Sequence, residues 1–143
     1  MKHHPLRVAE AVMILIVEDD EHISRMVAKL LSGKGYQTRI ESNGAAALLA
    51  AHESLPELII MDMAMPILKG LSTIQALRED PHTANIPIVV LSARDDDQSL
   101  AEALTAGANI YLSKPVNAQE LLTVVDRLVT LRAAEESMGD VGR

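Results

Sequence analysis

No cysteine occurs among the 143 residues, which excludes disulfides, thiolate metal centres, iron–sulfur clusters and a thiol nucleophile. Its absence also suits a reducing compartment. Phe and Trp are missing as well, and with only Tyr36 and Tyr111 the chain has no platform on which nucleic-acid bases could stack. Basic residues are the minority, 13 against 20 acidic for a net charge of −7, and they form no cluster, which argues against direct nucleic-acid binding through phosphates. No apolar run approaches the roughly 18 residues of a membrane span. Lys2 and Arg7 do precede an apolar stretch at residues 11–17, but Glu10 abuts it and the acidic residues 18–21 follow without a small-residue cleavage site, so a signal peptide is not expected. The expectation is a cytoplasmic protein that uses neither membrane nor nucleic acid.

What is present is a regular alternation. Residues 13–17, 58–61 and 86–91 are continuous apolar runs of strand length; residues 108–112 are a mixed version, and residues 37–40 are polar enough for an edge strand. Runs apolar on both faces are what a parallel sheet covered by helices requires. Between them, Ile23, Met26, Val27, Leu30 and Leu31 follow the spacing of one buried helix face, and Gly33 and Gly35 stop that helix. Residues 45–51 form an Ala/Leu-rich helix ending before Leu55 and Pro56; Leu71, Ile74 and Leu77 mark a third, closed by Asp80 and Pro81. Leu100 and Leu104 mark a fourth, and Leu121, Leu122, Val125, Leu128 and Val129 a fifth, which Asn117 and Glu120 are spaced to cap. The reading is an α/β protein, five βα units giving a doubly wound, five-stranded parallel sheet. Its single domain spans residues 13–131, with an extension at 1–12 and a flexible tail or linker stub at 132–143.

In such a sheet ligands bind beyond the carboxyl ends of the strands. Glu18, Asp19 and Asp20 follow the first strand, Asp62 the third, Ser92 the fourth, and Ser113, Lys114 and Pro115 the fifth. Carboxylates, a hydroxyl and an ammonium therefore meet at one edge. Two carboxylates about 4 Å apart repel by roughly 4 kcal/mol at an effective dielectric near 20, so such a cluster favours a cation. An all-oxygen donor set open to water suits Mg²⁺, and an Asp neutralised in this way can attack phosphorus to give an aspartyl phosphate.

The segments 14–20 (ILIVEDD), 61–66 (MDMAMP) with Gly70, 91–93 (LSA) and 114–115 (KP) resemble the receiver domain of two-component response regulators, of the chemotaxis-regulator type. Any one of these motifs is weak alone; together, in order and at the right strand ends, they are specific. The resemblance implies a flavodoxin-like strand order 2-1-3-4-5 and a phosphorylation-activated switch. It makes Asp62 the phosphoacceptor, places Mg²⁺ on Asp19, Asp62 and the Ala64 backbone carbonyl with Glu18 acting through water, and has Lys114 and Ser92 hold phosphoryl oxygens. The Lys114–Pro115 bond is expected to be cis, and Ser92 with Tyr111 forms the switch. Ala64 and Arg94 occupy the two positions that tune phosphoryl lifetime, which implies slow-to-moderate self-dephosphorylation. The implied donor is a sensor histidine kinase or a histidine phosphotransfer protein. The implied reader is an unknown downstream effector protein that recognises the helix 4–strand 5–helix 5 face. A homodimer stays open, as does the choice between a stand-alone receiver and a fragment of a longer regulator. No enzymatic activity is implied beyond the domain's own phosphoryl transfer and self-dephosphorylation.

Taken singly, each residue also has a structural reading. Residues 18–21 suit a helix cap and first turn, Asp62 a loop acid, Ser92 a cap, Lys114–Pro115 a solvated turn, and Tyr111 a half-buried strand residue. A phosphatase of the haloacid dehalogenase type also uses an Asp nucleophile, but its general acid two residues on is here Ala64. A nucleotide- or flavin-binding module of this architecture would need glycines or hydroxyls where Glu18, Asp19 and Asp20 stand. A pseudo-receiver would be degraded at the reactive positions, and this chain is not. Asp95, Asp96 and Asp97 favour the start of the fourth helix. His3 and His4 are a pair near the terminus that suits adventitious metal, while His22, His52 and His82 show no mutual ligand spacing and read as surface histidines.

Overall fold

The computed structural model describes residues 12–64, 69–93 and 97–141. Strands β1 (Met13–Val17), β2 (Gln37–Glu41), β3 (Leu58–Asp62), β4 (Ile88–Ser92) and β5 (Ile110–Ser113) alternate with helices α1 (Glu21–Ser32), α2 (Gly44–Ser54), α3 (Gly70–Glu79), α4 (Asp97–Ala106) and α5 (Ala118–Val141). All strand pairs are parallel, in the order β2-β1-β3-β4-β5. Fold class and strand order are those expected. Among the described residues, no helix is long and apolar enough to cross a membrane.

The period of two along each strand divides the core into two layers. Leu15, Val17, Ile59, Met61, Ile88 and Val90 face α2, α3 and α4, meeting Ala47, Ala50, Ala51, Ile74, Leu77 and Ala103. Ile14, Ile16, Leu58, Ile60, Val89 and Leu91 face α1 and α5, meeting Val27, Leu31, Leu121 and Val125. This is why the central strands read as unbroken apolar runs: each is covered on both sides, all five residues of β3 and of β4 being buried. Strand β2, at the edge, keeps polar residues, and its Arg39 reaches Glu41 and Glu53 at 3.0 and 3.1 Å.

Side-chain caps set several boundaries. Asp20 Oδ1 accepts the Ile23 amide at 3.2 Å, Asn43 Oδ1 the Ala46 amide at 2.8 Å, and Asn117 Oδ1 the Glu120 amide at 2.8 Å. Two expected boundaries need correction. Val12, placed in the extension, is buried in the α1/α5 layer and accepts the Gln37 amide at 3.0 Å; the rest of residues 1–12 lies outside the described residues. Residues 132–141, read as a flexible tail, continue α5. Arg132 supplies a reason: its Nη1 donates to the carbonyls of Pro56 and Glu57 at 3.3 and 3.1 Å, tying this turn of the helix to the start of β3.

A second arginine organises the amino-end edge of the sheet. Arg78, in the last turn of α3, donates from Nε and Nη2 to the Gly107 carbonyl at 3.0 and 2.9 Å. Its Nη1 reaches the carbonyls of Ala84 and Ile86 at 2.9 and 2.7 Å, and its Nη2 the Asn109 Oδ1 at 3.1 Å. The same Asn109 oxygen accepts the Ile88 amide at 2.8 Å. Gly107 is required here: its φ is +125°, and a Cβ would stand 2.7 Å from Arg78 Cγ.

Candidate functional site

Strand β1 delivers its last apolar residue, Val17, and the next residue, Glu18, is still held in the sheet's register by its amide, which donates to the Glu41 carbonyl at 3.0 Å. The Glu18 side chain is consequently buried, with Oε2 accepting the Asp20 amide at 3.2 Å. Asp19, one residue on, is exposed, and Asp20 serves as the cap of α1. Of the acidic run, then, Asp20 has the structural role, while Glu18 and Asp19 come close to the end of β3.

Asp62 ends β3 and is also buried, its Oδ1 accepting the Ala64 amide at 3.3 Å. One carboxylate oxygen from each of Glu18, Asp19 and Asp62 lies within 4.8 Å of the others. Lys114 reaches the same point from the end of β5, its Nζ 2.9 Å from Glu18 Oε1 and 3.4 Å from Asp62 Oδ1. The Lys114 backbone is held by its amide, which donates to the Ser92 carbonyl at 2.8 Å, and the Lys114–Pro115 bond is cis. Ser92, the buried last residue of β4, is registered against Ser113.

Within this cluster of described residues, three carboxylates against one ammonium leave two negative charges in excess. Burial and this charge together act on the ionisation of Glu18. Burial pushes its carboxyl above the usual range and the Asp62 charge adds to this, while the hydrogen bonds from Lys114 and the Asp20 amide only partly oppose it. Burial acts to lower Lys114, but its hydrogen bond to Glu18 and the charge of Asp62 outweigh it and leave the ammonium favoured. Asp62, Glu18 and Asp19 thus form an oxygen donor set that a divalent cation would neutralise, and the chemistry of the donors fits Mg²⁺ rather than a softer metal.

Sequence reasoning brought Glu18, Asp19, Asp62, Ser92 and Lys114 to one edge, and the structure places them there. Ala64 is exposed beside Asp62. Tyr111 lies on β5 opposite Val90, half-buried against the layer under α2, α3 and α4. Arg94 lies outside the described residues. Gly70 has a reason beyond its place in the motif: a Cβ there would stand 2.7 Å from Met63 Cα and 2.8 Å from the Asp62 carbonyl oxygen. Only glycine lets α3 start this close to the loop that follows Asp62. A cavity of about 260 Å³ adjoins the site, lined by Ala64, Lys69, Ser92, Ser99 and Glu102 among others. Lys69, Ser99 and Glu102 carry no motif, and nothing in the sequence singled them out.

Residues 14–126 match the family model of the response regulator receiver domain. The chain is 34% identical over 134 residues to the DNA-binding response regulator MtrA of Mycolicibacterium smegmatis, covering 90% of this chain and 57% of that protein. It therefore spans little more than half the length of that relative. Among solved structures, a response regulator from Chloroflexus aurantiacus superposes with a TM-score of 0.80 at 34% identity, covering 83% of this chain and 98% of the other. The receiver domain of the sensor histidine kinase PA1611 from Pseudomonas aeruginosa, which carries a magnesium ion in its active-site cleft, gives 0.78 at 28% identity, covering 83% and 98%. Fold, strand-end chemistry and these likenesses agree, and the chain belongs to the response regulator receiver domain family, the phosphorylation-activated switches of two-component signalling.

Proposed function

We propose that Asp62 accepts a phosphoryl group from a phosphohistidine of a sensor histidine kinase or histidine phosphotransfer protein. In the transfer an Asp62 oxygen forms the new bond to phosphorus as the donor's N–P bond breaks, and the departing imidazole takes up a proton. The observation that carries this reading is the buried Asp62 carboxylate, at a strand end, 3.4 Å from Lys114 and clustered with Glu18 and Asp19. Mg²⁺ would be held by Glu18, Asp19, Asp62 and the Ala64 carbonyl, and it would offset the charge that develops on the phosphoryl oxygens. Lys114 holds one phosphoryl oxygen and Ser92 another.

Engagement of Ser92 biases an existing two-state equilibrium that Tyr111 reports to the α4–β5–α5 face. There Leu100 and Leu104 of α4 stand exposed, which suits a face read by an effector or by a second copy of the chain. Ala64, lacking a polar side chain, cannot orient an attacking water, so self-dephosphorylation is slow to moderate, with Arg94 as the second tuning position. Self-dephosphorylation is the only turnover expected. A cytoplasmic location belongs to the same reading.

With Mg²⁺ and a small-molecule phosphodonor, intact mass should rise by one phosphoryl group, and Asp62→Asn should abolish the gain. Undiminished labelling of that variant would overturn the assignment. Phosphoryl lifetime should shorten in Ala64→Asn and change in Arg94→Ala; an unchanged rate in both removes the basis for the lifetime reading.

A further inference from the structure

His52 and His82, thirty residues apart, read from the sequence as unrelated surface histidines, but folding brings them together. The last turn of α2 sets His52 beside the turn that follows α3, and the two imidazole rings lie 5.1 Å apart between centroids. Asp80, the residue that closes α3, completes the group: His82 Nδ1 is 3.2 Å from Asp80 Oδ1, and one donor atom from each of the three lies within 4.8 Å of the others. We propose that His52, Asp80 and His82 form a second metal site, for a zinc-class divalent ion, at the edge of the sheet opposite the phosphoacceptor.

The donor set distinguishes this site from the acidic edge. Two imidazole nitrogens and one carboxylate are ligands for zinc and its neighbours, whereas the Glu18, Asp19 and Asp62 oxygens suit magnesium. Spacing agrees as well. In a tetrahedral centre with bonds of about 2.0–2.1 Å the ligand atoms stand roughly 3.3 Å from one another. The His82–Asp80 pair already has this separation, 3.2 Å. His52 must close only the remaining gap, and its ring, like that of His82, is exposed. Asp80 is pre-oriented by the His82 amide, which donates to its Oδ1 at 2.9 Å.

The field at this corner favours a cation. Both α2 and α3 end here, so the negative ends of two helix dipoles point toward the cluster. The adjoining cavity, of about 310 Å³ and lined in part by Leu48, Ala76 and Thr83, leaves room for water at the remaining coordination positions. A bound ion would cross-link the end of α2 to the α3–β4 connection and would not touch the phosphorylation chemistry.

Zinc binding to the full chain is measured by calorimetry with excess Mg²⁺ present to occupy the acidic edge. A His3→Ala/His4→Ala background removes the adjacent histidines near the terminus. One equivalent of Zn²⁺ should bind in the micromolar range or tighter. His52→Ala and His82→Ala should each weaken it more than about tenfold, the scale of loss seen even for groups that act behind the ligands, and Asp62→Asn should leave it intact. Co²⁺ in place of zinc should give visible absorption bands that the same two histidine variants abolish. Because His52 and His82 are exposed, circular dichroism should show the histidine variants folded. Absence of saturable zinc binding, or its persistence in the His52→Ala/His82→Ala double variant, overturns the site.

Discussion

At the amino ends of the strands the cationic groups are surrounded by acceptors: Arg78 donates five hydrogen bonds to three carbonyls and the Asn109 side chain, and Arg132 bonds two more carbonyls. At the carboxyl ends Lys114 faces three carboxylates that it cannot neutralise alone. Both edges use partly buried charged groups, with opposite consequences. The Arg78 guanidinium, fully used by neutral oxygens, has no capacity left for a ligand and fixes the elements it joins. A carboxylate cluster with excess charge costs stability and keeps its capacity for a cation and a phosphoryl group. Cross-linking of elements thus belongs to the amino-end edge, and the capacity for phosphoryl chemistry to the carboxyl-end edge.

The sharpest way to break that division is Arg78→Ala. It leaves the carbonyls of Gly107, Ala84 and Ile86 without this donor in a half-buried setting, and should cost on the order of 3 kcal/mol in urea denaturation. Phosphorylation of the folded fraction should be unchanged. A loss under about 1 kcal/mol would show that water replaces the guanidinium and that the edge is not fixed by it. Next in size is Gly70→Ala, whose Cβ collides with the Met63 and Asp62 backbone. Overpacking of this kind costs about 1–3 kcal/mol. Because the displaced backbone carries Asp62, labelling should slow even where the protein is folded. Smaller again is Tyr36→Phe. The Tyr36 hydroxyl donates to Asp126 of α5, and its loss should cost roughly 1 kcal/mol, measured as a shift in the urea midpoint.

The sequence made one edge far more legible than the other. Glu18, Asp62, Ser92 and Lys114 were readable because a parallel strand delivers the residue after its apolar run to one place, so position along the chain implies position in space. The double-sided burial of β3 and β4 was readable for the same reason. The amino-end edge has no such rule. Arg78 is one of several charged residues near a helix end, and its acceptors are backbone carbonyls, which no side chain announces. His52 and His82 come from different connections, so their proximity depends on how α2 packs beside α3. The extent of α5 was hidden because residues beyond 131 are polar; Arg132 is held by carbonyls of the residues before β3, not by an apolar stripe.

The smallest expected effect tests the charge imbalance itself. The folded state holds a proton on Glu18 more tightly than the unfolded chain does, since burial and then Asp62 raise its pKa above the ordinary glutamate value despite Lys114. Linkage then fixes the sign: this contribution to stability is fully present below the unfolded pKa and is lost as pH rises through the folded one. Glu18→Gln mimics the protonated carboxyl. Without Mg²⁺ it should match the wild type near about pH 4 and become the more stable of the two near about pH 8. Millimolar Mg²⁺ should reverse the order at the higher pH, because only the wild type gains the binding energy of the full donor set. Urea midpoints at both pH values, with chelator and with Mg²⁺, read all four conditions. If Glu18→Gln is the less stable protein at both pH values without metal, the Lys114–Glu18 pair outweighs the repulsion. The carboxyl-end edge would then be a satisfied ion pair, as settled as the arginines on the far side of the sheet.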